Sequence, residues 1–162
     1  MTGREKDPPF PYPFVLKSAQ GCGGRQVYLV SGQETFRAAL EAIRPDGALA
    51  QIKCDTPGRD VRVYVLGNRI RKVMLRFSSG DFRSNIGQGG SFSPYELTAD
   101  ERKMVQDIMA LFDFGLAGID FIFHRGRLVF NEIEDAVGTR MLYANGIDIV
   151  SEYLDLILDR LG

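Results

Sequence analysis

Apolar and polar residues alternate along several short segments of this chain, a pattern typical of half-buried β-strands. The segments in which we predict strands are 14–17, 27–30, 49–52, 61–66, 70–75, 116–123 and 127–133. The dipeptide Gly67-Asn68 separates two of them and is a strong hairpin-turn signal. The chain is therefore predicted to contain a large proportion of antiparallel sheet.

Three helices are predicted where apolar residues recur at helical spacing. The first covers residues 33–43, and the second follows a capping-box sequence formed by Thr98 and Glu101 and includes Phe112. Asp148 opens the last helix. We expect its buried side to consist of Val150, Tyr153, Leu154, Ile157, Leu158 and Leu161. Residues 77–94 carry no periodic pattern and are predicted to be irregular.

Composition limits the class of protein further. The chain has 162 residues, 44% of them apolar, and a net charge of −1, which suits one globular domain and argues against general binding of nucleic acid. Neither a membrane-spanning run nor a secretory leader is visible, so a cytoplasmic location is expected. The two cysteines and the single histidine, His124, favour neither a zinc site nor a Ser-His-Asp triad. Residues 1–13 contain four prolines and are predicted to form a linker.

Three acids near the C-terminus suggest a cation site. Glu132 and Glu134 lie two residues apart on a predicted strand and so share one face, and Asp120 lies one strand earlier. Carboxylates brought together repel one another unless a cation is bound, and ligands made only of oxygen suit Mg²⁺ or Mn²⁺, usually with a phosphorylated substrate. The alternative is an edge strand with a solvated acidic face.

A glycine-rich loop suggests an anion site elsewhere. Gly21, Gly23 and Gly24 lie between two predicted strands just after Lys17, and such glycines allow backbone N–H groups to approach a phosphate chain. The spacing matches neither a P-loop nor a Rossmann fingerprint, so a plain hairpin remains the alternative. Lys17 ends an apolar strand, where a lysine usually needs an anionic partner.

Arginines near the long segment 77–90 form a third candidate site. Arg62 and Arg76 lie on predicted strands and Arg83 lies in the segment itself. Long irregular segments inside compact domains are often functional, and a guanidinium suits phosphate or carboxylate oxygens. We therefore predict that the three arginines converge on an anion. The alternative is that they are solvated surface residues.

In their order along the chain, these features resemble the ATP-grasp superfamily, specifically its RimK-like branch of carboxylate–amine ligases. The most specific element is the run Asp-Phe-Arg-Ser-Asn at 81–85, which is followed by Gly89-Gly90. The other resembling blocks are 13–17 with 21–24, 58–63, 74–76, 117–120 and 131–134.

The resemblance implies an α+β fold in which two subdomains with mostly antiparallel sheets enclose ATP. Residues 14–50 would be the small lid subdomain and residues 51–162 the large subdomain with the metal site. Lys17 would contact the α- and β-phosphates, and the loop with Gly21, Gly23 and Gly24 would fold over them. The expected adenine neighbours are Gln51, Ile52 and Lys53.

The resemblance also assigns roles in the large subdomain. Asp120, Glu132 and Glu134 match the metal positions, although the third is usually asparagine in the family. The positions expected near the γ-phosphate and the acyl-phosphate intermediate are Arg76, Arg83 and Asn85, and Arg62 matches one near the acceptor. Residues 135–140 replace the usual Ser-Ser-Pro-Gly, which puts substrate contacts there in doubt.

The implied reaction is the ATP-dependent joining of a carboxylate to an amine of an amino acid or peptide through an acyl phosphate. Family members carry a further N-terminal domain that does not fit before Phe14, so we expect this chain to be a C-terminal ATP-grasp portion. A noncatalytic nucleotide-binding module is the main alternative, and a small-molecule kinase is a third. An apolar surface exposed where that domain would dock would favour a homodimer.

Overall fold

The computed structural model describes residues 7–21, 26–43, 47–56, 58–78 and 90–162. The chain divides into two compact units, Met1–Cys54 and Asp55–Gly162. We predicted a boundary after residue 50. The division falls later because the strand that ends at Ile52 pairs with the first strand of the first unit.

The first unit is a three-stranded antiparallel sheet with one helix. Strands β1 (Phe14–Ser18), β2 (Val27–Val30) and β3 (Ala48–Ile52) lie in the order β2-β1-β3, and helix α1 (Gln33–Ile43) connects β2 to β3. Alternate residues of β1 are buried. They form a core with the inner face of α1, and the core residues are Phe14, Leu16, Val30, Phe36, Ala39 and Ile43.

The second unit is built on a five-stranded antiparallel sheet with the order β6-β5-β4-β7-β8. Its strands are β4 (Arg59–Leu66), β5 (Arg69–Phe77), β6 (Ser91–Pro94), β7 (Leu116–His124) and β8 (Arg127–Glu134). The β4–β5 turn at Gly67-Asn68 has a positive φ of 58° at the glycine, which a residue without a side chain adopts at little cost. The antiparallel α+β fold is as predicted.

Helix α2 (Ala99–Met109) covers one face of this sheet. Its N-terminus has the predicted capping box, in which the Thr98 side chain accepts from the Glu101 N–H and the Glu101 side chain accepts from the Thr98 N–H. Val105 packs into a core built from alternate residues of the central strands. The core residues from the sheet are Val61, Val63, Val65, Ala117, Ile119, Phe121 and Leu128.

Helices α3 (Arg140–Ala144) and α4 (Ile149–Leu161) cover part of the other face. Here Tyr64, Leu66 and Met74 of the sheet pack against side chains of the C-terminal segment, which are Val137, Met141, Leu142, Ile147 and Ile149. The Tyr64 hydroxyl donates to the Gly138 carbonyl oxygen at 2.7 Å. This bond ties the segment between β8 and α3 to the sheet.

Three local predictions were wrong. Residues 91–94 form strand β6 within a segment we predicted to be irregular, and the short helix α3 was missed. Helix α2 ends at Met109, before Phe112.

A fourth prediction that was wrong concerns α4, whose predicted buried side is mostly exposed. Val150, Leu154, Leu158 and Leu161 are 54%, 54%, 65% and 79% exposed, and only Tyr153 of the predicted set packs into the core cluster. Ile149 and Leu156 pack there instead. Within the described ranges, no helix is both long and apolar enough to cross a membrane.

Candidate functional site

Four charged side chains meet on the face of the large sheet that also carries Tyr64 and Leu66. Asp60 and Arg62 are two residues apart on β4 and therefore share this face. Arg76 lies opposite Asp60 on β5, and Asp120 lies opposite Arg62 on β7. Strand pairing alone thus brings two acids and two arginines together.

The arginines bind the acids through paired hydrogen bonds. Arg62 donates from Nε to Asp120 Oδ1 at 2.8 Å and from Nη2 to Asp120 Oδ2 at 2.7 Å. Arg76 donates from Nε and Nη2 to the two oxygens of Asp60 at 2.5 and 2.8 Å. Its Nη2 also donates to Asp120 Oδ2 at 2.7 Å. Asp120 is therefore shared by both guanidinium groups.

The two arginines and the carboxylate that they share are buried. Arg62 and Arg76 are each 8% exposed and Asp120 is 2% exposed. Burial on its own would raise the pKa of Asp120, but the Arg62 hydrogen bonds and the charges of both arginines outweigh burial and hold that pKa below its usual range. Asp120 is thus a buried, ionised carboxylate.

Glu134 brings a third carboxylate to the cluster. Its Oε2 is in ion-pair contact with Arg62 Nη2, although without a well-directed hydrogen bond. Glu134 lies opposite Gly118 in the β7–β8 pairing. A Cβ on Gly118 would lie 3.3 Å from Arg62 Nε and 2.7 Å from Val137 Cγ2, so the glycine leaves the space that Arg62 occupies.

The three predicted metal ligands are not equivalent. Asp120 and Glu134 face Arg62, whereas Glu132 is exposed. Among the residues that the structure describes, no three His, Cys, Asp or Glu side chains are arranged to hold a metal ion. The charged cluster consists of Asp60, Arg62, Arg76, Asp120 and Glu134. Its three carboxylates and two guanidinium groups give it a net charge of −1.

Two of the three arginines predicted to converge lie among the described residues. Arg62 and Arg76 do converge on an anion, but that anion is the carboxylate of Asp120, and neither arginine is a solvated surface residue. Sequence reasoning missed Asp60 as a partner of Arg76. The signal for it was available, because Asp60 lies two residues before Arg62 and so shares its face in a strand.

The predicted nucleotide residues of the first unit lie on and after its sheet. Lys17 is half-buried on the face of β1 opposite the Phe14 and Leu16 core. Gly21 follows β1, and a Cβ on it would lie 3.2 Å from Ser18 Cβ. Gln51 and Ile52 end β3, with Ile52 57% exposed, and Lys53 follows directly.

Four predicted site residues lie outside the described residues. They are Gly23 and Gly24 of the glycine-rich loop and Arg83 and Asn85 of the long segment. The predicted roles of these four stay predictions.

Comparison with known proteins adds the family. The model of the RimK-like ATP-grasp domain matches residues 5–157. The chain belongs to the RimK-like ATP-grasp family. A probable alpha-L-glutamate ligase of Parasynechococcus marenigrum is 30% identical over 93% of this chain and 33% of its own length. One of Sodalis glossinidius is 30% identical over 93% of this chain and 52% of its own length.

Solved structures show the same ATP-grasp fold. A D-alanine–D-alanine ligase of Bacillus anthracis superposes with a TM-score of 0.68 at 16% identity, covering 91% of this chain and 54% of the ligase. The same ligase complexed with ATP gives a TM-score of 0.66 and covers 53% of that chain. The chain spans about half the length, or less, of the relatives named here.

The ATP-grasp family implies a metal ion, and the described side chains do not fit one as a set. Asp120 already accepts three hydrogen bonds from guanidinium groups, and Glu134 Oε2 faces the same arginine. A hard cation needs oxygen ligands directed at it and not at arginines. Glu132, the third of these acids, is exposed.

Proposed function

We propose that this RimK-like ATP-grasp chain is the nucleotide-binding portion of a cytoplasmic carboxylate–amine ligase. ATP would transfer its γ-phosphoryl group to a carboxylate, giving ADP and an acyl phosphate. The nitrogen of an amino acid or peptide amine would then attack the acyl carbon, forming an amide bond and releasing phosphate and a proton. The observation that carries this proposal is the family match over residues 5–157.

The first unit supports nucleotide binding through the composition of one sheet face. The face away from α1 carries Val15, Leu29 and Leu49 beside Lys17, and the two leucines are 39% and 53% exposed. A flat apolar group can pack on such side chains while a lysine attracts the attached phosphates. Lys17 and Gly21, together with Gln51, Ile52 and Lys53, are therefore our proposed nucleotide contacts.

The second unit supports phosphoryl transfer through its arginines. The proposed reaction develops negative charge on phosphoryl oxygens, and rate enhancement comes largely from cationic groups already fixed in position. Arg76 is held by Asp60 and Asp120 through Nε and Nη2, so the two N–H groups of Nη1 take no part in these bonds. We propose Arg76, Arg83 and Asn85 near the transferred phosphoryl group and Arg62 toward the acceptor side.

The proposal includes a magnesium or manganese ion, with only one of the three predicted acids as its protein ligand. Mg²⁺ is commonly bound by one or two carboxylates together with substrate phosphates. Glu132 is our proposed carboxylate for that role, because Asp120 and Glu134 face arginines. The ion would neutralise charge on the phosphates of ATP.

A noncatalytic nucleotide-binding module is the second candidate. The observation in its favour is that two of the three acids expected to bind the metal are paired with arginines. ADP formation that depends on both a carboxylate and an amine would support the ligase. Nucleotide binding without turnover would support the module, and a stable phosphoester product would indicate a kinase.

Calorimetric titration with ATP, with and without Mg²⁺, is the primary test. We expect micromolar binding that depends on Mg²⁺ and is lost in Lys17→Ala. The matched control is Lys103→Ala, because Lys103 is 73% exposed on α2 and forms an ion pair with Asp107 of the same helix. Absence of binding by the full chain, or equal loss in both variants, would contradict the nucleotide assignment.

We also propose that a second copy of the chain covers the exposed stripe of α4. Val150, Leu154, Ile157 and Leu161 recur at spacings of four, three and four, the a/d pattern of a two-helix seam. An antiparallel pair of such helices is self-complementary, as a twofold dimer requires. A standard interface buries roughly 800 Å² per partner, more than one stripe of a 13-residue helix supplies, so we expect a weak dimer.

Sedimentation at increasing concentration tests the dimer. Self-association should disappear in Leu154→Asp and persist in the control Leu111→Asp, since both leucines are exposed but Leu111 lies outside α4. A monomer at all concentrations would contradict this proposal.

A further inference from the structure

Arg62 is bound by two carboxylates that come from different strands. Its Nε and one Nη2 hydrogen are used by the two oxygens of Asp120 on β7. Glu134 Oε2 contacts the same Nη2 atom from β8, without a well-directed hydrogen bond. A guanidinium carries five N–H donors in a fixed plane, so two acids placed this way determine its orientation more firmly than one.

Glu134 is divided between the interior and solvent. Its side chain is 42% exposed as a whole, yet Oε2 is buried against Arg62. Gly118 lies opposite Glu134 in the strand pairing. Because it has no side chain, nothing at position 118 separates Glu134 from Arg62. The buried end of the carboxylate is therefore directed to a cation that the protein itself supplies.

We propose that Glu134 is the counter-ion that positions Arg62, and that it is not a metal ligand. The counter-ion role is inferred from the contacts of Arg62 alone. Its importance for binding the acceptor rests on the proposed function. Glu134 and Asp120 together hold the guanidinium in one plane through Nε and Nη2, so Nη1 is the group that would bind a further anion. Glu134 is thus a positioning residue, acting through Arg62.

The first test measures coupling between Arg62 and Glu134 without any nucleotide. Unfolding midpoints in urea are compared for the full chain, Glu134→Gln, Arg62→Met and the double variant. We expect Glu134→Gln to lower the midpoint when Arg62 is present and to leave it unchanged or raise it in Arg62→Met. If Arg62→Met does not fold, Arg62→Lys takes its place, because it keeps the charge and loses the fork.

A spectroscopic readout distinguishes positioning from general stabilisation. Exchange of guanidinium protons with water, followed by NMR, should become at least about fivefold faster at Arg62 in Glu134→Gln. Arg76 is the internal control, because its partners are Asp60 and Asp120, and its exchange should not change. Equal acceleration at both arginines, or at neither, would overturn the proposal.

Mn²⁺ titration in the presence of ATP gives the third measurement. The counter-ion role predicts that Glu134→Gln keeps the Mn²⁺ affinity within about threefold, whereas Glu132→Gln weakens it at least tenfold. A tenfold loss in Glu134→Gln, with no coupling to Arg62, would make Glu134 a ligand. If the full chain binds no ATP at all, the proposed function fails, and the unfolding and NMR measurements still decide the role of Glu134.

Discussion

Two halves of one sheet face differ in what they bury. On β4, Tyr64 and Leu66 lie under α3 and α4 in an apolar cluster, whereas Asp60 and Arg62 on the same face belong to the charged cluster. Apolar burial stabilises roughly in proportion to area. Buried ion pairs contribute little net stability, because desolvation of the charges offsets their attraction. The charged half is therefore better explained by function than by stability.

Among the variants that test the difference between the charged and apolar halves, Asp120→Asn is expected to lower the free energy of unfolding most. Removing one charge from a buried, shared network leaves two arginines without adequate compensation, which typically costs about 3–5 kcal/mol of the free energy of unfolding. Urea denaturation measures this cost. The control is Glu152→Gln, whose carboxylate pairs with Arg71 near the surface, where the loss should be below about 1 kcal/mol. Similar losses in both variants would contradict the contrast.

The apolar half is tested by Leu142→Ala. Leu142 is fully buried between α3 and the sheet, so truncation removes transfer free energy and leaves a cavity, at a cost of about 2–5 kcal/mol. The same denaturation experiment applies. Leu158→Ala, at a side chain that is 65% exposed, should change stability by no more than about 0.5 kcal/mol.

Acid should weaken the charged half selectively. The pKa of Asp120 is lower in the folded chain than in the unfolded chain, so its contribution is present above the unfolded pKa and is lost as pH falls toward the folded one. We expect the unfolding midpoint to drop below about pH 4. Asp120→Asn should show a shallower acid dependence than Leu142→Ala. Parallel pH profiles would indicate that other groups dominate.

Tyr64 lies where the two halves meet, and its hydroxyl gives the smallest effect. Tyr64→Phe removes the hydrogen bond to the Gly138 carbonyl, a loss of about 0.5–1.5 kcal/mol. Denaturation again provides the measurement. A much larger loss would mean that residues 135–139 depend on this bond for their whole conformation.

Local signals predicted most of the fold. The bounds of α1 and the capping box of α2 were both correct, because each depends on residues that are neighbours in sequence. The orientation of α4 was not predictable in this way. Its sequence carries two apolar stripes, and the buried one is chosen by packing of Tyr153 and Leu156 beside Gly115 and Gly67.

The charged cluster shows the same division between local and long-range information. Arg62 and Arg76 were identified from sequence as arginines that converge on an anion. Their partner Asp120 is 58 residues from Arg62 along the chain, and the β4–β7 pairing that joins them leaves no local trace. The sequence therefore indicated the type of chemistry but not which acid each arginine binds.

The absence of a side chain at Gly118 determines where the charged groups beside it can lie. A single methyl group there would overlap Val137 Cγ2 at 2.7 Å and crowd Arg62 Nε at 3.3 Å. Position 118 is thus a steric constraint on an electrostatic network, and a smaller residue at 137 is the change that would relieve part of it. Residues 62, 118 and 137 occupy the same limited space. A larger residue at one of these positions would therefore require a smaller residue at another.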